Sequence, residues 1–71
     1  MEIIVNPTGH DLKVERVSAR VKQAILGAHM GVTYSRVSAI EREQFPSPEI
    51  VRRYRTALAL CQNVPHEREV A

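Results

Sequence analysis

A chain of 71 residues with a single cysteine has room for one domain with a small core and none for an internal disulfide, which fits a reducing, cytoplasmic setting. Its net charge of +2 and pI of about 9.1 carry the sign of a nucleic-acid partner. Distribution says more, since nine Lys and Arg stand against five acids between His10 and Leu60, a net of +4 with both flanks slightly acidic. No nucleophile sits beside a base, and there is neither a phosphate-binding glycine loop nor a paired set of acids, so an enzyme, a cofactor and a small-molecule substrate are not expected.

Met1 to Val5 is a short apolar, β-branched run closed by the turn signal Asn6-Pro7-Thr8-Gly9. It is too short to span a membrane and lacks the length and basic start of a signal peptide, so no membrane association is expected. A lone edge strand is not stable. Ile3 to Val5 therefore has three options: packing on the rest of the domain, pairing with its copy in a second subunit, or no fixed structure. Next, Asp11 is placed to cap a first helix that runs to about Val21. Leu12, Val17 and Val21 supply its apolar surface, and Lys13, Glu15 and Arg20 its solvated face.

From Gln23 to Arg42 the pattern is that of two short helices about a tight turn. Ile25, Leu26 and Met30 put bulk on one face of the first, and Ala24, Gly27 and Ala28 keep it slim. Gly31 ends it in the left-handed cap that a residue without Cβ enters freely. Val32 plugs the turn, and the Thr33 hydroxyl can cap the next helix. In that second helix Val37, Ile40 and Glu41 point one way. Tyr34, Ser35, Ser38, Ala39 and Arg42 point elsewhere, with Arg36 on the flank. Such an outward face, small and hydroxyl-bearing, suits close approach to base edges in a major groove. It equally suits a plain surface helix.

After a loop at Glu43-Gln44-Phe45, in which the only Phe reads as a core or lid residue, Ser47-Pro48-Glu49 is a helix start with cap, proline and acid in order. That helix carries Ile50, Val51, Tyr54, Ala57, Leu58 and Leu60 as its apolar side. Arg52, Arg53 and Arg55 read first as a solvated face and second as phosphate contacts. Residues 61–71 form a polar tail, flexible or used as a dimer arm. Cys61 and His66 lack further partners for a metal, and His10 and His29 are isolated.

The stretch from Leu12 to Leu60 resembles the helix-turn-helix domain of phage repressor and Cro-like regulators. The resemblance is carried by Arg16, Gln23, Leu26, Gly31-Val32-Thr33, Ser38, Ile40-Glu41-Arg42, Pro46 or Pro48, and Ala57-Leu58 in their order and spacing. It implies an all-α fold, a compact bundle of about five short helices containing a helix-turn-helix, with room for a short N-terminal β-strand. The chain then divides into an extension (1–9), the helix-turn-helix domain (10–60) and a tail (61–71). The resemblance further implies base contacts from Tyr34, Ser35, Ser38 and Ala39, and phosphate contacts from Gln23, Thr33, Arg36 and Arg42, and the cation of Lys22 falls near the same phosphate path. Gln23 would brace the DNA backbone or the first turn of the recognition helix, and Arg16 and Glu41 would form a structural ion pair.

Several positions depart from the family pattern. Lys22 stands where a Ser or Thr cap is usual, and Gly27 stands for an alanine at about 1 kcal/mol of helix propensity. Arg20 and Glu43 sit where a glycine often relieves the turn. The function expected is that of a sequence-specific regulator of transcription that binds double-stranded DNA as a homodimer, with half-sites about one helical turn apart. The alternative is a protein-interaction module on the same fold, of antitoxin or anti-repressor type. The low net charge and the apolar N-terminal run keep that alternative open.

Overall fold

The computed structural model describes residues 7–62, and every regular element in it is helical: α1 (Gly9–Ser18), α2 (Gln23–Met30), α3 (Tyr34–Glu41) and α4 (Pro48–Gln62). The strand option at Ile3 to Val5, the first six residues and residues 63–71 lie outside the described residues. Among the described residues there are thus four helices, where about five were expected for the bundle. The Ser47 hydroxyl accepts from the Ile50 N–H at 3.2 Å to start α4. No glycine or proline follows Pro48 before Gln62, so the helix runs 15 residues unbroken and takes in Cys61.

The first helix starts earlier than expected, because Thr8 and not Asp11 is its cap. The Thr8 hydroxyl accepts from the Asp11 N–H at 3.1 Å, and the Asp11 carboxylate accepts from the Thr8 N–H at 2.9 Å. This reciprocal box satisfies two of the donors that every helix start leaves open. The bond from the Thr8 backbone holds the Asp11 carboxyl below its ordinary value. One residue on, the Gly9 N–H donates to the Glu43 carbonyl at 2.8 Å. A Cβ at Gly9 would lie 2.3 Å from the Ile40 oxygen and 2.6 Å from that of Glu43. The start of α1 is therefore seated on the carbonyl end of α3, where opposite helix poles meet.

The same helix also stops earlier, at Ser18 rather than Val21. The Arg20 N–H donates to the Val17 carbonyl at 2.9 Å and the Val21 N–H to that of Arg16 at 3.2 Å. These two bonds are the Schellman closure. Arg20 takes the left-handed position in it, at φ 62, where a side chain is disfavoured.

The core is Leu12, Leu26, Met30, Val37, Ile40, Tyr54, Ala57, Leu58 and Cys61, edged by Ala19, Val21, Val32, Ile50 and Val51. Both α3 and α4 pack on α1 and α2. Four apolar side chains expected inside are exposed: Val17, Ile25, Leu60 and, at 73%, Phe45. Helical phase explains the first three. Leu12 and Arg16 take the inner side of α1, followed by its C-cap Ala19; Leu26, Gly27 and Met30 take that of α2, and Ala57, Leu58 and Cys61 that of α4. Each exposed residue is a sequence neighbour of a buried one and is turned away by the 100° step per residue. In the loop, Pro46 is buried and its neighbour Phe45 faces outward. No helix among the described residues is long and apolar enough to cross a membrane.

Candidate nucleic-acid interface

Helices α2 and α3 meet through a second Schellman closure. The Gly31 N–H donates to the Ala28 carbonyl at 3.3 Å and the Val32 N–H to that of Gly27 at 2.8 Å, with Gly31 at φ 78. Here the left-handed residue is a glycine, and nothing lies within 4 Å of where its Cβ would be. Gly27 has a different reason to lack a side chain. Its Cβ would stand 2.7 Å from the Val32 carbonyl oxygen, so the turn folds back onto α2 at this residue. The helix propensity that Gly27 gives up is the condition for the closure and not a mere weakness of the sequence. Thr33 then starts α3, its hydroxyl accepting from the Arg36 N–H at 3.2 Å.

The two sides of α3 differ sharply. Val37, Ile40 and Glu41 are buried, whereas Tyr34, Ser35, Arg36 and Arg42 are exposed and Ser38 and Ala39 half-buried. Tyr34, at 61% exposure, projects into solvent at the first turn. Arg42 donates to the Ser38 hydroxyl at 2.8 Å, which holds the arginine along the outer side of the helix. Arg36 approaches Glu43 only to 4.0 Å, with both side chains well exposed. At the start of α2, Lys22 is exposed in the capping position and its side chain caps nothing.

Behind this surface lies a buried polar cluster. Arg16 donates to both carboxylate oxygens of Glu41, at 2.7 and 3.1 Å, and to the Val21 carbonyl at 2.9 Å. Gln23 donates to Glu41 at 3.0 Å. It therefore holds the last turn of the α3 helix and not, as one expectation had it, the first. The Tyr54 hydroxyl lies 2.5 Å from Glu41 Oε2 and 3.0 Å from the Leu12 carbonyl. With one proton to give, its bond to the charged and nearer carboxylate is the stronger.

Burial alone would push the Glu41 carboxyl up. Donation from Arg16, Tyr54 and Gln23 outweighs that and holds it below its ordinary value. Its bond to Glu41 raises the Arg16 guanidinium. Tyr54 is raised well above the usual phenol range, first by burial and then by the carboxylate beside it. In the sequence Tyr54 reads as core alone. The only signal for its polar role is that a tyrosine, not a phenylalanine, occupies a buried helical position.

The arginines of α4 are split. Arg55 donates to both oxygens of Glu15, at 3.1 and 2.5 Å, and is raised by that bond. Arg53 donates to the Met30 carbonyl at 3.2 Å, closing the end of α2. Arg52 is exposed and makes no ion pair among the described residues. No group of three or more His, Cys, Asp or Glu that could hold a metal occurs among the described residues, where Cys61 is buried; His66 lies outside them. Compared with family models, with curated proteins and with solved structures, the chain finds no match in any of the three.

Proposed function

We propose that this chain is a sequence-specific, double-stranded DNA-binding regulator of transcription, of the phage or prophage repressor and Cro-like kind, working in the cytoplasm as a homodimer. The observation that carries this reading is the division of labour on α3. Its inner side is wholly engaged by the core and the Arg16 cluster, while its outer side offers Tyr34, Ser35, Ser38 and Ala39 together with Arg36 and Arg42. An exposed aromatic, two hydroxyls and a methyl are the chemistry that reads base edges and the thymine methyl, and flanking cations are what phosphates need.

In the mechanism, Lys22, Thr33, Arg36 and Arg42 anchor the phosphates. Gln23 contributes through the amide hydrogen not given to Glu41, beside the open N–H groups of the first turn of α2. That leaves Tyr34 to Ala39 to lie in the major groove. Two copies related by a two-fold axis would then read half-sites about 34–36 Å apart. No catalytic step, cofactor or small-molecule substrate enters this function.

Selection from a random duplex pool at moderate salt tests the reading, and a palindromic motif is expected. Tyr34→Ala should flatten base preference with little change in salt dependence. Arg36→Ala should weaken binding to all sequences and lower the salt slope by about 1. Equal loss of specific and non-specific binding in both variants would remove the division between reading and anchoring. The exposed Phe45, Val14, Val17 and Leu60 favour a second reading, a protein-interaction module of antitoxin or anti-repressor type. Binding to DNA that is weak, unselective and insensitive to salt would transfer the assignment to it.

A further inference from the structure

Of the two arginines on the outer side of α3, one is loose and one is held. Arg36 approaches Glu43 to 4.0 Å, and both side chains are well exposed. Arg42 Nη1 donates to Ser38 Oγ at 2.8 Å, four residues back along the helix, and Arg42 enters no ion pair among the described residues. A guanidinium has five N–H donors, so the one given to Ser38 leaves four for a phosphate. The bond also acts on the serine. A hydroxyl both donates and accepts, which is why a serine by itself suits any base edge. At Ser38 the oxygen is engaged by a cationic donor, and among the described residues its own O–H is given to nothing. A bond from a charged donor is roughly twice as strong as a neutral one. It turns a lone pair of Ser38 toward Arg42 and the proton away from it, and it polarises that proton for donation.

We propose that Arg42 determines base preference through Ser38, by fixing the Ser38 hydroxyl as a donor. This deepens the DNA-binding reading above and rests on it. In the major groove guanine offers O6 and N7, adenine N7 and thymine O4 as acceptors, whereas cytosine offers only its N4 amino donor. Ser38 set as a donor therefore selects guanine, adenine or thymine on the strand it faces and disfavours cytosine. Arg42 is a positioning residue in this step, in addition to anchoring a phosphate by its charge.

Selection from a random duplex pool with the full-length protein and three variants tests the assignment, with helical circular dichroism as the check on folding. Ser38→Ala locates the base pair that the hydroxyl reads, as the position of the wild-type motif whose preference it loses. Arg42→Met removes donor and charge together. It should lose about 2- to 12-fold of preference against cytosine at that same pair, the worth of one hydrogen bond. Arg42→Gln removes the charge but keeps an N–H within reach of Ser38. It should retain that preference while lowering the salt slope by about 1, as Arg42→Met does. An arginine acting by charge alone would make the two variants alike. Equal preference at the Ser38 pair in wild type and Arg42→Met, or equal loss in both Arg42 variants, would overturn the inference and leave DNA binding standing. So would a Ser38→Ala variant that keeps every preference of the wild type. A wild-type protein that selects no motif would overturn the DNA-binding reading itself, and this inference with it.

Discussion

At the scale of single residues, the two Schellman closures form an internal experiment. They have the same hydrogen bonds and the same left-handed position, but Arg20 fills one and Gly31 the other. A side chain in that conformation costs about 1–2 kcal/mol. A glycine there gives part of it back through the greater freedom of its unfolded chain, about 0.4–1 kcal/mol. Arg20→Gly should therefore stabilise the protein by about 0.5–1 kcal/mol, a rise in melting temperature of roughly 2–8 °C for a domain of this size. Gly31→Ala should do the reverse, and its cost is one of backbone conformation alone, because no atom within 4 Å crowds the new methyl. Thermal melts of the two variants check both signs. A melting temperature unchanged or lowered by Arg20→Gly would mean that the arginine side chain contributes more than its backbone costs.

At the scale of elements, what was legible in the sequence is what is decided within three or four residues. Gly31 and Thr33 act on their immediate neighbours, as do Ser47 and Pro48, and the end of α2 and the starts of α3 and α4 follow from them. The Thr8–Asp11 box has the same reach, but Asn6-Pro7-Thr8-Gly9 reads as a turn, which leaves Asp11 as the apparent cap. Illegible were the features set by distant partners. Gly9 is required by Glu43 and Ile40, and Tyr54 is required by Glu41 and Leu12. The rotation of α1 is fixed by an arginine whose carboxylate is 25 residues away, so counting apolar spacings put Val17 inside. One element remains open to improvement. Lys22 has extended capping geometry, φ −78 and ψ 153, with no side-chain bond to the helix it precedes. Lys22→Thr should add about 0.5–1.5 kcal/mol through the cap. On the DNA-binding reading it should also lower the salt slope by about 1. Stability and binding would then move in opposite directions, measurable by urea denaturation and by titration of duplex DNA over a range of salt. A loss of both would show that Lys22 supports the fold in a way its geometry does not suggest.

At the scale of the whole molecule, the Glu41 carboxylate is the point where all four helices are tied: Arg16 comes from α1, Gln23 from α2, Glu41 itself from α3 and Tyr54 from α4. A domain of this size holds only about 4–10 kcal/mol in total, so bonds of this kind decide whether it stays folded. Their pH dependence has a definite sign on each side. The Glu41 carboxyl is lowered in the folded state, so its contribution is present above the unfolded value near 4.5 and is lost as pH falls through the folded value. Tyr54 is raised, so its contribution is complete below the unfolded value near 10 and is lost as pH climbs from there toward the folded one. Tyr54→Phe removes the hydroxyl while keeping the ring in the core, at a cost of about 1–3 kcal/mol near neutral pH. The difference in stability between the natural protein and this variant should then be widest around neutrality. It should narrow in acid, where Glu41 takes up its proton, and narrow in alkali, where the unfolded tyrosine ionises. Urea denaturation of both proteins at a series of pH values between about 3 and 11 measures this difference directly. A difference near zero throughout would reduce Tyr54 to an apolar filler and leave Arg16 and Gln23 to hold α3 without α4.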